Sequence, residues 1–135
     1  MKLKLGKLQK QWVKALESGK YKQGKNALAY KGKYCCLGVL CEMLGKLSEE
    51  DEQGYKYIRR TDEESSLTVS IKRNLGFIEI DGQFKEGMDT KGWSKTDKNI
   101  YSQGSLALAN DYGAIFKSIA TFIKNHPEAV FKKSV

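Results

Sequence analysis

The segment Cys36-Leu37-Gly38-Val39-Leu40-Cys41-Glu42-Met43-Leu44 is apolar on nearly every side, and Gly45 closes it. A membrane span takes ~18 apolar residues, and no run in the chain approaches that length. A short helix apolar all round must be enclosed, either at the centre of a core or against a partner chain. Gly38 inside it costs about 1 kcal/mol relative to alanine. A close approach of backbone, helix or ligand would account for it. At 135 residues, 40% of them hydrophobic and 30% charged, the chain suits one domain with one core.

The flanking segments can be read by periodicity. Leu8, Trp12, Val13 and Leu16 form one face of an amphipathic helix over 5–18, with Gly19 as its stop and Lys7, Lys10, Gln11 and Lys14 on the opposite face. Leu28-Ala29-Tyr30 and Tyr34-Cys35 read as two short strands around Lys31-Gly32-Lys33. Residues 46–54 read as a charged loop, and Tyr55 to Arg59 alternates weakly like a strand. Ser65 or Ser66 is expected to cap a helix across 67–74, ended by Gly76. Phe77-Ile78-Glu79-Ile80, Asp81-Gly82 and Gln83-Phe84 spell a hairpin with an Asp-Gly turn. Residues 87–103 read as a long polar loop holding Trp93. Ser105 starts a short helix over 106–110. Ile115, Phe116, Ile119, Phe122 and Ile123 mark a last one, stopped by Pro127. The pattern predicts an α+β fold: a compact single domain with about four helices and one or two small β-hairpins.

Charge is unevenly placed. Residues 1–33 carry ten lysines and one acid, Glu17, a balance of +9, whereas the remainder balances at −1. Such a field attracts anions: nucleotides, nucleic acid or acidic proteins. Lysine dominates over arginine, which favours point-charge contact with phosphate over bidentate reading of bases. The loop after the first helix concentrates this chemistry. Lys20, Lys22 and Lys25 surround Gly24, and Tyr21, Tyr30 and Tyr34 can stack on a base. Gln23 belongs to the same candidate site. It is no Walker loop, because Lys25 is followed by Asn26. Trp93, between Gly92 and Ser94, is expected as an exposed aromatic platform or interface anchor. Asp111, at the end of a helix, faces the wrong end of the dipole. Either Asn110 or Asp111 caps the next helix, or Asp111 holds a ligand amine, a ribose hydroxyl or a lysine.

Catalytic and metal readings fare worse. Cys35, Cys36 and Cys41 are odd in number, and the basic amino terminus has no apolar signal stretch. Both facts point to reduced thiols in a cytoplasm. His126 is the single histidine, and there is no second cysteine pair, so no metal or cofactor is expected. A nucleophilic cysteine with His126 and Asp111 is the enzymatic alternative. Packing as small apolar groups is the plainer role for the three thiols.

Three segments carry a resemblance. Ser18-Gly19-Lys20-Tyr21-Lys22-Gln23-Gly24, Tyr34-Cys35-Cys36-Leu37-Gly38-Val39-Leu40-Cys41 and Ser105-Leu106-Ala107-Leu108-Ala109-Asn110-Asp111 with Gly113 and Phe116 together resemble a widespread family of small bacteriophage and prophage proteins. Many members have Leu where Ala109 stands, and 46–103 resembles the family least. The resemblance implies a phage accessory protein in the host cytoplasm. Such proteins often counter host immunity, and one class sequesters the nucleotide signals of CBASS, Thoeris or Pycsar defence. The expectation is therefore a non-enzymatic sponge for a phosphate-bearing small molecule such as a cyclic nucleotide or an ADP-ribose compound, held by Lys20, Tyr21, Lys22, Gln23, Lys25, Trp93 and Asp111. The apolar cysteine helix adds an expected homo-oligomer. The alternatives are a basic face for a host protein or nucleic acid, and a small Cys-dependent enzyme.

Overall fold

A computed structural model describes residues 3–59 and 69–135. Among the described residues it is an α+β domain with six α-helices and one small mixed sheet. Helix α1 (Lys7–Glu17) buries Trp12, Val13 and Leu16 and turns its lysines to solvent, as its periodicity predicts. Gln9 is wholly buried on the same helix. Its Oε1 accepts from the Gly6 amide at 2.9 Å, and its Nε2 donates to the carbonyls of Leu75 at 3.0 Å and Lys133 at 2.9 Å. One side chain thus closes the start of α1 and ties it to two distant segments.

Helix α2 (Cys36–Met43) is the centre of the core. Cys36, Leu37, Val39, Leu40 and Cys41 have no exposed surface. Helices α1 and α5 (Leu106–Asp111) and the sheet cover it, so its apolar circumference is enclosed within one chain. The sequence-level reason for expecting a partner chain on this helix is thereby removed. Gly38 is the point of closest approach: a Cβ there would lie 1.7 Å from the Leu28 carbonyl oxygen. Trp12 joins α1 to α2, its Nε1 donating to the Cys36 carbonyl at 3.0 Å. Its ring meets Phe77 and Phe131 edge-on at 5.7 and 6.3 Å.

The sheet is made of four two-residue strands: β1 (Lys22–Gln23), β2 (Ala29–Tyr30), β3 (Lys33–Tyr34) and β4 (Tyr55–Lys56), in the order β1-β3-β2-β4. Strands β2 and β3 are the expected hairpin. Lys31 and Gly32 have φ of 48° and 78°, as a two-residue turn of the right twist needs. Beyond β4, Ile58 bridges Leu47. Helix α3 (Val69–Leu75) ends at Gly76, whereas its expected serine cap lies outside the described residues.

Two expectations are corrected. The 77–84 hairpin does not form, although its turn does: Asp81 and Gly82 have φ of 61° and 69°. The arms pair elsewhere. Phe77 bridges Phe131, Gln83 bridges Ser105, and the Ile78 and Lys85 amides donate to the carbonyls of Val130 and Ala129 at 3.0 and 2.9 Å. Each phenylalanine gains a different part of the core that way: Phe77 stacks on Phe131 at 5.2 Å, and Phe84 lies 5.0 Å from Phe122. The 87–103 segment is not all loop either. Helix α4 (Lys95–Ser102) occupies its second half, with the Ser94 hydroxyl accepting from the Asp97 amide at 3.0 Å. The serine cap followed by buried Asp97 and Ile100 was the available signal. The chain closes with α6 (Phe116–Asn125), packed on α1, α4 and α5.

Candidate functional site

Strand register decides which side chains share a face of the sheet. Lys22 pairs with Lys33, Lys33 with Tyr30, and Tyr30 with Tyr55. Paired residues on adjacent strands project to the same side, so these four form one row across all four strands. At ~4.8 Å per strand the row is about 14 Å long. The alternate row, Gln23, Tyr34, Ala29 and Lys56, faces inward, with Ala29 only 1% exposed against 37% for Tyr30. The open face is therefore two lysines beside two tyrosines. The tyrosine rings lie 4.5 Å apart, and Lys31 Nζ sits 5.2 Å from the centre of the Tyr30 ring. Lys22 and Lys33 stand side by side on neighbouring strands, a like-charge pair that opposes folding and favours an anion between them.

The loop residues divide into those that face outward and those that hold the fold. Lys20, Lys22 and Lys25 are exposed. Tyr21 is half-buried, edge-on to Tyr34 at 5.4 Å, with Lys20 Nζ 5.6 Å from its ring centre. Tyr34 is further engaged by Lys56, whose Nζ lies 3.5 Å from Glu42. Of the tyrosines expected to stack, Tyr30 presents the freest ring.

Gln23 is fully engaged inside the protein. Its Nε2 donates to Asn110 Oδ1 at 2.9 Å and to the Ala114 carbonyl at 2.7 Å, while its Oε1 accepts from the Phe116 amide at 3.0 Å. Asn110 is wholly buried. Its Oδ1 also accepts from the Cys36 amide at 3.1 Å, and its Nδ2 donates to the Gly24 carbonyl at 2.8 Å. Asp111 accepts from the Asn26 amide at 2.8 Å. Helix α6 is thus capped by Gln23, not by Asn110 or Asp111. The three segments that carried the sequence resemblance meet at this one buried node, and Gln23 and Asp111 position the loop that bears the lysines.

Trp93 is not the open platform its polar surroundings suggested. It is half-buried, stacked on His126 at 3.6 Å and edge-on to Tyr101 and Phe122. His126 Nε2 lies 2.9 Å from Asp97 Oδ2, to which Asn125 also donates at 3.2 Å. The sequence reading paired His126 with Asp111 and missed Asp97. The only signal was the carboxylate's place on the apolar side of an unrecognised helix.

The cysteines are free and buried. Burial pushes the Cys35 thiol up to about 11 and the Cys41 thiol to about 12, and raises that of Cys36 as well. A thiol held protonated at neutral pH is a poor nucleophile.

The family model described as a domain of unknown function, DUF8296, matches residues 4–127. No curated protein and no solved structure matches the chain.

Proposed function

We propose a function for this chain, which belongs to the DUF8296 family, on the basis of its sheet face: it captures a phosphate-bearing nucleotide there and does not turn it over. The observation that carries this reading is the row Lys22, Lys33, Tyr30 and Tyr55, an exposed ring flanked by ammonium groups. Tyr30 offers a stacking surface to a base. Lys22, Lys33 and Lys31 meet its phosphates, with Lys20 and Lys25 reaching in from the adjoining loop. Stacking and point charges hold a nucleotide without a nucleophile, and the protonated thiols argue against Cys-dependent catalysis.

The likeness to small phage proteins supplies the setting. A cyclic oligonucleotide or an ADP-ribose compound made as an immune signal in the host cytoplasm would be withdrawn from its effector by tight capture. Single-stranded nucleic acid is the competing occupant of the same face. Its binding would fall steeply with salt, because each neutralised phosphate releases counterions.

Isothermal titration against cyclic dinucleotides, cyclic trinucleotides and ADP-ribose derivatives tests the proposal. One of them should bind at micromolar concentration or tighter. Tyr30→Ala should weaken that binding by about 1–3 kcal/mol, the worth of one stacked base. Absence of heat with every compound, from a folded sample, would sink the idea. So would an unchanged affinity in the Tyr30→Ala protein.

A further inference from the structure

A second cationic surface lies away from the sheet. A groove of about 870 Å³ runs along α1 to the carboxyl-terminal end of α6, with Lys4, Lys7, Lys10, Lys14 and Lys124 along its sides and the half-buried Leu3 and Leu5 in its lining. Its one acid, Glu17, is engaged by Lys124 at 2.6 Å. Lys4, Lys7, Lys10 and Lys14 have no ion-pair partner among the described residues.

Lys7 and Lys10 are arranged against the helix's own interest, whereas Lys14, in the last turn, suits its dipole. Lys7, Lys10 and Lys14 follow each other at three- and four-residue spacing, so like charges are neighbours over about 10 Å of helix. Lys7 stands at the positive end of the helix dipole, and the first turn contains no acid. The surface is nonetheless rigid, because buried Gln9, Trp12, Val13 and Leu16 fix the other side of α1. A preformed groove with an apolar floor and an unneutralised cationic wall fits one kind of occupant. We propose that it docks an acidic, amphipathic helical segment of another protein, whose apolar stripe lies on the half-buried Leu3 and Leu5 and whose carboxylates meet Lys7, Lys10 and Lys14. Nucleic acid fits less well. The lining holds no arginine to read base edges and no aromatic ring to stack on them. This surface shares no residue with the sheet face, so the two proposals stand or fall separately.

The test is fluorescence anisotropy with a fluorescein-labelled synthetic helix carrying leucines at i, i+3, i+4 and i+7 and glutamates beside them. Binding should saturate, and the double variant Lys10→Glu/Lys14→Glu should lower the affinity by about 10-fold or more. The equal charge change Lys95→Glu/Lys98→Glu, on exposed positions of α4, should alter it by less than about 2-fold. Lys10→Gln/Lys14→Gln reads the same contacts if charge reversal disturbs folding, which circular dichroism reports. The same peptide with serine for leucine should bind more weakly. Equal binding of the serine peptide, or an equal loss in the α4 variant, would reduce the effect to bulk charge and overturn the proposal. Tighter binding of a DNA duplex, lost in the same Lys10/Lys14 variant, would assign the groove to nucleic acid and overturn it. Self-association in sedimentation that the variant abolishes would assign it to a second copy, with the same consequence.

Discussion

Asn110 shows how much one side chain can organise. It lies at the end of a short helix, next to an aspartate, where sequence offers capping or ligand binding as its uses. In the fold it spends its amide on two separate segments: Gln23 of β1 with the Gly24 carbonyl beside it, and the Cys36 amide at the start of α2. Replacing it leaves buried donors and an acceptor without partners, and such groups cost more than the net worth of the bonds lost. Asn110→Ala is therefore expected to destabilise the protein by about 2–4 kcal/mol, measured by urea unfolding. The expectation fails if the midpoint moves little, which would mean that water replaces the amide. Gln23 illustrates the same lesson from the binding side. A glutamine in a lysine-rich loop reads as a ligand contact, but all its polar atoms face protein, and its neighbour Lys22 is the one that faces out.

At the scale of elements, local periodicity was a sound guide wherever one face of a segment had to be buried. Helices α1, α2, α5 and α6 follow their apolar patterns and stop residues, and the Lys31-Gly32 turn sets the expected β2–β3 hairpin. The 77–84 segment kept its turn and lost its pairing, because two phenylalanines at its ends have better partners in Phe131 and Phe122 than in each other's strand. Gly38 is the sharpest case of an element defined by its neighbour. Helix propensity alone says that Gly38→Ala should stabilise α2 by about 1 kcal/mol. The Leu28 carbonyl 1.7 Å from the added Cβ reverses the sign. The variant should lose roughly 3 kcal/mol or more and unfold at lower denaturant, since the backbone just before β2 cannot yield as a side chain can. A more stable Gly38→Ala protein would contradict this contact.

For the whole molecule, the buried thiols set a pH window. Cys35, Cys36 and Cys41 ionise near 9 in an unfolded chain, but burial holds them protonated in the fold, to about 11 for Cys35 and about 12 for Cys41. Above pH 9 the folded state therefore binds more protons than the unfolded one, and stability must fall as pH rises. The contribution is fully present below 9 and is lost progressively between 9 and 12. Thermal melts across that range should show the decline, with thiolate absorbance appearing only as the protein unfolds; thiolate absorbance from a still-folded protein would refute it. The sequence by itself determined the composition of the layers: an enclosed cysteine helix, amphipathic helices around it, an amino-terminal excess of lysine, and the positions of most stops and turns. These are short-range consequences of which residues can face water. Only the tertiary structure decided which lysines and tyrosines share a surface. The alignment of Lys22, Lys33, Tyr30 and Tyr55, the cationic groove along α1 and the stacking of Trp93 on His126 all depend on register and on packing between segments far apart in the chain. A one-residue shift in strand pairing would have turned the same tyrosine inward.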